Sequence, residues 1–189
     1  MRCLMCESWS WRLLCPKCQA VIAPSPQTFD LGGLRLITFY DYDEIAPLLK
    51  AKYRVFGSEI FKVLAEKSFR NFFADLKLDS PAVIAPIDDL AERWFSHTAV
   101  LARNCSPPRE TAIVRYGSLR AESRVKYAGE TLAFRRNHPR KFVFKNFPEK
   151  NAIILDDLVT TGSTILEAAA VLEDRGKTAL FAIALAKAK

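Results

Sequence analysis

Two adjacent carboxylates, Asp156 and Asp157, stand just before a run of small and hydroxyl-bearing residues. After Leu158, that run reads Val159, Thr160, Thr161, Gly162, Ser163, Thr164. Backbone N–H groups and hydroxyls at the start of a helix form a cradle that suits a phosphate. Gly162 lets the backbone approach such a ligand closely, because glycine carries no side chain. The pattern therefore predicts an anion site at residues 160–164.

The two acids need a different partner, because carboxylates that faced a phosphate would repel it. The vicinal hydroxyls of a ribose are suitable donors to Asp156 and Asp157, with the phosphate one sugar's length away. A divalent metal can share that environment. The segment fits neither the Rossmann glycine pattern nor the Walker loop pattern, so both sites are unsupported. The structural alternative is that the acids end a strand and Ser163 merely caps a helix.

Four cysteines form two Cys-x-x-Cys pairs near the N-terminus: Cys3 with Cys6, and Cys15 with Cys18. Two such turns supply the four thiolates of a closed tetrahedral zinc site, whose role is structural because no position stays open for a substrate. The eight residues between the pairs predict a small zinc finger or two stacked knuckles rather than a full ribbon. Cys105 is unpaired in sequence and is expected to be a small apolar side chain.

Aromatic and basic residues lie between the cysteine pairs: Trp9, Trp11 and Arg12. Indole rings beside a cation can stack on unpaired bases. Alternatively, both indoles cover the zinc module and dock it onto the main domain. We slightly favour this second interpretation.

Positive charge is concentrated between Arg103 and Lys150, where twelve basic residues face four acidic ones. This local excess of +8 exceeds the chain's formal charge of +7, so the rest of the molecule is close to neutral. Such a field favours polyanionic partners. A solvated basic loop is the alternative. The nucleic-acid candidates here are Arg120, Arg124, Lys126, Arg135, Arg136, Arg140 and Lys141.

These residues need a scaffold that brings the ends of several strands together. From Ser80 onward, short apolar runs alternate with amphipathic stretches, which predicts β-α-β units and a mostly parallel sheet. Ligands of such sheets bind at the carboxyl ends of the strands. The predicted strands span 82–87, 111–116, 152–158 and 178–185, and the predicted helices span about 89–104 and 163–175.

The segment before this core has a different pattern. Pro24 and Pro26 predict a linker, and a strand or hairpin is expected at 34–42. Apolar residues at helical spacing predict two helices within 44–73, broken near Gly57. Residues 117–141 show neither period, which predicts a long mobile loop.

Composition limits the class of protein. With 189 residues, half of them hydrophobic, the chain has room for about one compact domain plus a small appendage. The longest uncharged stretch near the C-terminus, 178–186, is too short to cross a bilayer. The first residues do not follow the pattern of an export leader, so a cytoplasmic protein without membrane insertion is expected.

The apolar run that leads into Asp156, Asp157 and the residues up to Thr164 resembles the phosphoribosyl diphosphate (PRPP) motif of type I phosphoribosyltransferases. With the cysteine pairs, the chain resembles the ComF (ComFC) family of phosphoribosyltransferase-like proteins, implicated in DNA uptake during natural transformation. The resemblance implies an α/β fold with a type I phosphoribosyltransferase-like parallel sheet flanked by helices. It implies a zinc finger at 1–23, a hood region at 24–80, and a core at 81–189 with the flexible basic loop.

The same resemblance implies roles for further residues. Pro86, Ile87, Asp88 and Asp89 lie where the family has its pyrophosphate loop, and PRPP would be bound with Mg²⁺. Arg93 is the candidate for stabilising a departing pyrophosphate, with His97 on the same helix face. Lys50 and Lys52 resemble the lysine stretch of the hood. The departures from the family pattern are Trp94 for Gly, Ser96 for Asn, and Phe134 for an Arg that Arg135 or Arg136 would replace.

Two functions follow as expectations. The first is a DNA-uptake factor of natural competence that binds PRPP or a related phosphosugar, holds single-stranded DNA, and works with proteins of the uptake machinery. The second is an active phosphoribosyltransferase that displaces pyrophosphate from PRPP with a nitrogen base and has no direct DNA role. No acceptor-base pocket is visible in the sequence, so PRPP binding is a firmer expectation than turnover.

Overall fold

A computed structural model describes residues 1–50, 54, 56–88, 96–122 and 141–188. The strands are β1 (Gln27–Leu31), β2 (Leu34–Asp41), β3 (Ala82–Asp88), β4 (Ala112–Val114), β5 (Leu119–Ala121), β6 (Phe142–Phe144), β7 (Asn151–Leu155), β8 (Leu158–Val159) and β9 (Thr178–Lys187). The helices are α1 (Pro16–Val21), α2 (Tyr42–Leu49), α3 (Gly57–Lys67), α4 (Phe69–Asp75), α5 (His97–Cys105) and α6 (Ser163–Asp174). None of the helices in these ranges is long and apolar enough to span a membrane.

One mixed sheet joins these strands in the order β1-β2-β9-β7-β3-β5-β6. Strands β2, β9, β7, β3 and β5 run parallel to one another, while β1 and β6 pair antiparallel at the two ends. The short strands β4 and β8 pair with β3 and β9. This arrangement confirms the predicted α/β fold with a mostly parallel sheet. It also places the carboxyl ends of β7 and β3 side by side, since Leu155 pairs with Pro86.

The sheet separates two hydrophobic cores. On one face, α6 packs through Ile165, Ala168 and Leu172 against alternate side chains of the central strands. On the other face, α2 to α5 and the N-terminal cysteine module share a second core. Strands covered on both faces must be apolar throughout. This requirement explains the uninterrupted buried run in β7 from Ala152 to Leu155.

The segment before the core, residues 24–80, contains one more helix than expected. The predicted break near Gly57 is present, because α3 begins there. A second break occurs at Ser68, whose hydroxyl donates to the carbonyl of Leu64 at 2.7 Å while α4 starts at Phe69. The apolar spacing continues through Ser68, so the periodicity did not indicate this break.

The predicted strand at 152–158 is two strands. The backbone N–H of Asp156 donates to the carbonyl of Ile183 at 3.0 Å, and the ladder resumes two residues later at β8. The predicted irregular segment at 117–141 also differs, since its start forms β5, which pairs with β6. Residues 123–140 of that segment lie outside the described ranges.

Candidate functional site

The anion site predicted at residues 160–164 lies in the turn between β8 and α6. Gly162 adopts the left-handed backbone conformation, with φ of 80° and ψ of −2°, and serves as the N-cap of α6. Because glycine has no capping side chain, the amide groups of the first helical turn depend on neighbours or a ligand. The Ser163 amide is directed at the hydroxyl oxygen of Thr161, at 3.4 Å. The local fold therefore presents hydroxyls and helix-start amides together.

The turn and one of the two acids line a single surface concavity. Its lining consists of Asp156 and Leu158, Val159, Thr160, Thr161, Gly162, Ser163, Thr164, Ile165. Thr160 and Thr161 are exposed, while Ser163 and Thr164 are half-buried. The hydroxyls of Thr161 and Ser163 lie 3.0 Å apart. The structure thus brings together the predicted residues 159–164 and Asp156.

The two adjacent acids differ in their surroundings. Asp156 is half-buried at the rim of the concavity, and its carboxylate accepts a hydrogen bond from the backbone N–H of Asp157 at 2.8 Å. The Asp157 side chain is only 8% exposed and is not part of the lining. Its backbone carbonyl accepts from Leu185 at 3.1 Å, which holds this residue against β9. Asp156 is therefore the acid with access to a ligand.

Leu31 contacts the turn closely, although no sequence motif indicated this contact. A Cβ placed on Gly162 would lie 2.8 Å from Cδ2 of Leu31. Leu31 ends β1 and is buried in the same core as α6. Glycine is therefore required at position 162 for two reasons: the positive φ and the close packing of Leu31 behind the turn.

At the end of the neighbouring strand, Ile87 is 2% exposed and Asp88 is half-buried. The Asp88 carboxylate accepts hydrogen bonds from Ser96 Oγ at 2.7 Å and from the Gly117 backbone N–H at 2.9 Å. These partners were not anticipated, because Ser96 stood out only as a departure from a family pattern. Asp89 and Arg93 lie outside the described residues.

The four predicted metal ligands meet in space. The sulfur atoms of Cys3, Cys6, Cys15 and Cys18 all lie within 4.8 Å of one another. A tetrahedral zinc ion with bonds of about 2.3 Å needs sulfur separations of about 3.8 Å. The Cys6 and Cys15 sulfurs are 3.7 Å apart. The donor set and its spacing therefore fit a closed structural zinc site.

The local fold that holds these sulfurs is a hairpin followed by a helix. Arg2 and Trp9 form an antiparallel bridge around the first cysteine pair. The second pair opens α1, with Cys15 as its N-cap. The module also belongs to the main core, since Cys3, Leu14 and Ile22 are buried with the helices on that face.

The pKa values of two cysteines in the cluster shift in opposite directions. Burial raises the pKa of Cys3, but backbone N–H groups, foremost that of Cys15, outweigh it and lower the pKa to about 6. The pKa of Cys18 is raised to about 12, first by its contact with the Cys6 thiol and then by desolvation. Metal binding to this cluster must therefore displace protons, because zinc takes the thiolate form.

The indoles between the cysteine pairs do not cover the cysteine module. Trp9 is 83% exposed and Trp11 is 98% exposed. The favoured interpretation, in which they dock the module onto the main domain, is therefore wrong. Leu14 and Ile22 perform that packing instead. Arg12 is also exposed, so the module presents two bare rings and a cation.

The remaining predicted residues are partly described. Arg120 and Lys141 are exposed on and beside the β5-β6 pair, and the Lys141 backbone N–H donates to Glu167 at 2.8 Å. Lys50 is exposed, and the His97 ring packs 5.6 Å from that of Phe61. The other predicted basic residues lie outside the described ranges: Lys52, Arg124, Lys126, Arg135, Arg136 and Arg140. Cys105 is buried and free, as expected for an apolar role.

The sequence matches no known protein-family profile and no curated protein. Among solved structures, an orotate phosphoribosyltransferase from Aeropyrum pernix is similar over 90% of this chain and 78% of its own, with 21% identity and a TM-score of 0.39. A hypoxanthine phosphoribosyltransferase from Trypanosoma cruzi is similar over 70% of this chain and 67% of its own, with 15% identity and a TM-score of 0.44. An adenine phosphoribosyltransferase is similar over 87% of this chain and 85% of its own, with 13% identity and a TM-score of 0.41.

These similarities are low, with every TM-score below 0.5. The fold assignment therefore rests on the strand order and registers of this chain. The resemblance to the ComF family rests on the sequence motifs alone and stays a prediction.

Proposed function

We propose that this protein binds PRPP or a closely related phosphosugar at the turn between β8 and α6. The observation that carries the proposal is the shared concavity of Asp156 and residues 158–165. A carboxylate and an amide-lined turn on one surface suit a ligand that has hydroxyls at one end and a phosphate at the other.

In this proposal, the 5-phosphate accepts hydrogen bonds from the helix-start amides and from the hydroxyls of Thr160, Thr161 and Thr164. The ribose hydroxyls donate to Asp156. The diphosphate extends toward the end of β3, because Pro86 pairs with Leu155 and the two strand ends adjoin. Ile87, Asp88 and Asp89 form the proposed diphosphate side of the site.

Mg²⁺ fits this chemistry, since a carboxylate oxygen such as that of Asp156 and diphosphate oxygens are the ligands it prefers. When bound, the ion would neutralise charge on the diphosphate. The chain's own contribution is to bind and orient the sugar phosphate.

Calorimetric titration with PRPP in the presence of Mg²⁺ tests the proposal. The wild type should bind, and Asp156→Ala should lose most of the affinity. The matched control is Glu173→Ala, which removes an acid that is exposed at the far end of α6. Undiminished affinity in the first variant would refute the pocket assignment.

We infer a second role in holding single-stranded DNA, and with it a place in DNA uptake. The supporting observation is the exposure of Trp9 and Trp11 beside Arg12 on the zinc module. Exposed rings next to cations are the elements of sequence-independent single-strand binding. The link to natural transformation and to the uptake machinery comes from the ComF resemblance.

Fluorescence anisotropy with a labelled oligonucleotide tests this role. Trp9→Ala/Trp11→Ala should weaken binding by about tenfold or more, because stacking contributes roughly 1–3 kcal/mol per base. The control is Val21→Ala, which removes a 77% exposed apolar side chain from the same module. Equal affinity in the tryptophan variant and the control would exclude the rings as a stacking platform.

Turnover is a separate question from binding. Pyrophosphate release from PRPP, measured with a panel of nitrogen bases, decides whether the protein is also an active phosphoribosyltransferase. Release that depends on one base would establish the alternative function.

A further inference from the structure

The Asp88 carboxylate joins three separate parts of the chain at the end of β3. Its Oδ1 accepts from the hydroxyl of Ser96 at 2.7 Å, and its Oδ2 accepts from the backbone N–H of Gly117 at 2.9 Å. Ser96 is the N-cap of α5, and Gly117 lies in the turn before β5. One side chain thus ties the end of a strand, the start of a helix and a turn together.

Ser96 uses its hydroxyl twice. It donates to Asp88 and also accepts from the backbone N–H of Ala99 at 3.1 Å, which caps α5. The neighbouring Thr98 hydroxyl lies 2.8 Å from the carbonyl of Ile87 but 3.3 Å from the Asp88 carboxylate, so it donates to the carbonyl. Ser96 is therefore the main side-chain donor to Asp88 among the described residues.

The turn at Gly117 depends on the same carboxylate. Between β4 and β5, the chain leaves the β3 ladder, and Gly117 takes a φ of 70°. Its backbone N–H donates to Asp88 Oδ2 at 2.9 Å. Ser118 closes the turn by donating to the carbonyl of Arg115 at 2.8 Å. Hydrogen bonds to a carboxylate are about twice as strong as neutral ones, so this junction is firmly held.

We propose that Asp88 is a positioning residue for the diphosphate side of the site. It acts by holding Ser96 and Gly117 in place through the two hydrogen bonds that its carboxylate accepts from them, rather than by contacting the ligand. This inference rests on the proposed PRPP function, and it departs from the expectation that Asp88 itself contacts PRPP.

The test compares two ligands, PRPP and ribose 5-phosphate, by calorimetry with Mg²⁺. Asp88→Asn and Ser96→Ala should each weaken PRPP binding by about ten- to a hundredfold, because each loses a hydrogen bond to a charged group. Ribose 5-phosphate has no diphosphate, so its affinity should change less than about twofold. The double variant should be little weaker than either single one, since both changes break one junction. Ser96→Thr keeps a capping hydroxyl and should restore PRPP affinity.

Other outcomes are distinguishable. A loss confined to Asp88→Asn, with Ser96→Ala unaffected, would mean that Asp88 contacts the ligand, and would overturn the proposal. Equal losses for both ligands would mean general damage to the fold and would also overturn it. A wild type that binds neither ligand would reject the PRPP function itself. The exposed Asp79→Asn is the matched control for charge removal.

Discussion

Gly162 illustrates how one residue serves both the backbone and its packing. It has a φ of 80°, and a Cβ there would lie 2.8 Å from Leu31. Gly176 has a similar φ of 71°, but a Cβ there would meet no atom within 4 Å. Substitutions at the two glycines therefore distinguish the cost of backbone strain from the cost of steric crowding.

We expect Gly176→Ala to lower the free energy of unfolding by about 1 kcal/mol, the usual cost of alanine at positive φ. Gly162→Ala should cost more than this, because Leu31 must also shift. Urea unfolding measures both variants. Adding Leu31→Ala to each background gives the control, and it should remove only the extra cost at Gly162. Equal losses for the two glycine variants would show that Leu31 does not restrict the turn.

The two adjacent acids should behave differently when each is changed to the amide. Asp156→Asn should weaken ligand binding with little effect on thermal stability, because Asp156 lies at the rim of the concavity. Asp157→Asn should lower the unfolding temperature, since Asp157 is buried and losing a hydrogen-bond partner at a buried polar group costs about 1–3 kcal/mol. Calorimetry and thermal unfolding distinguish the two effects. The reverse assignment of effects would contradict the structure.

Part of this site was predictable at the level of residues. The order of types from Asp156 to Thr164 predicts an anion turn, because few other uses need glycine and hydroxyls at a strand-to-helix junction. The Leu31 contact was not predictable, since it depends on where β1 packs. The Asp88 junction depends likewise on a turn 29 residues away along the chain.

The N-terminal cysteine module and the main core are one packed unit. Cys3, Leu14 and Ile22 are buried in the same cluster as α3 and α4. We expect removal of zinc by a chelator to lower the unfolding temperature of the whole chain, because a structural zinc site supplies folding free energy. Differential scanning calorimetry checks this, with Cys6→Ser as the genetic equivalent and Cys105→Ser as the thiol control. An unchanged unfolding temperature would separate the module from the core.

Zinc affinity should fall as pH is lowered. At neutral pH, Cys3 is mostly thiolate, with a pKa of about 6, whereas Cys18 keeps its proton, with a pKa of about 12. Zinc must displace that proton, and below about pH 6 it must displace the Cys3 proton as well. Competition with a chromophoric chelator across this range measures the trend. An affinity independent of pH would contradict thiolate ligation.

The elements themselves were predicted unevenly. The long apolar runs of β3, β7 and β9 were identified because burial on both faces leaves no other composition. The short strands β5 and β6 were missed, because a three-residue strand holds too few residues to show a period. The break at Ser68 was missed because a hydroxyl bond to Leu64, rather than proline or glycine, ends the helix.

At the scale of the whole molecule, charge is unevenly distributed. The excess between Arg103 and Lys150 should give DNA binding a strong dependence on salt, because each neutralised phosphate releases counterions. Neutralising Arg135, Arg136, Arg140 and Lys141 should reduce the slope of log affinity against log salt. Trp9→Ala/Trp11→Ala should lower affinity at every salt concentration with the slope little changed. Anisotropy titrations over a salt series separate the two contributions, and an unchanged slope in the charge variant would exclude the basic segment.

We expect a sugar phosphate to bind at the turn between β8 and α6. A crystal structure of the protein with PRPP and Mg²⁺ tests it most directly. We predict density for the 5-phosphate at the amides of residues 161–164, with a ribose hydroxyl within hydrogen-bonding distance of Asp156. An empty turn in crystals where PRPP is bound elsewhere, or where it is not bound at saturating concentration, would show that this turn is not the binding site.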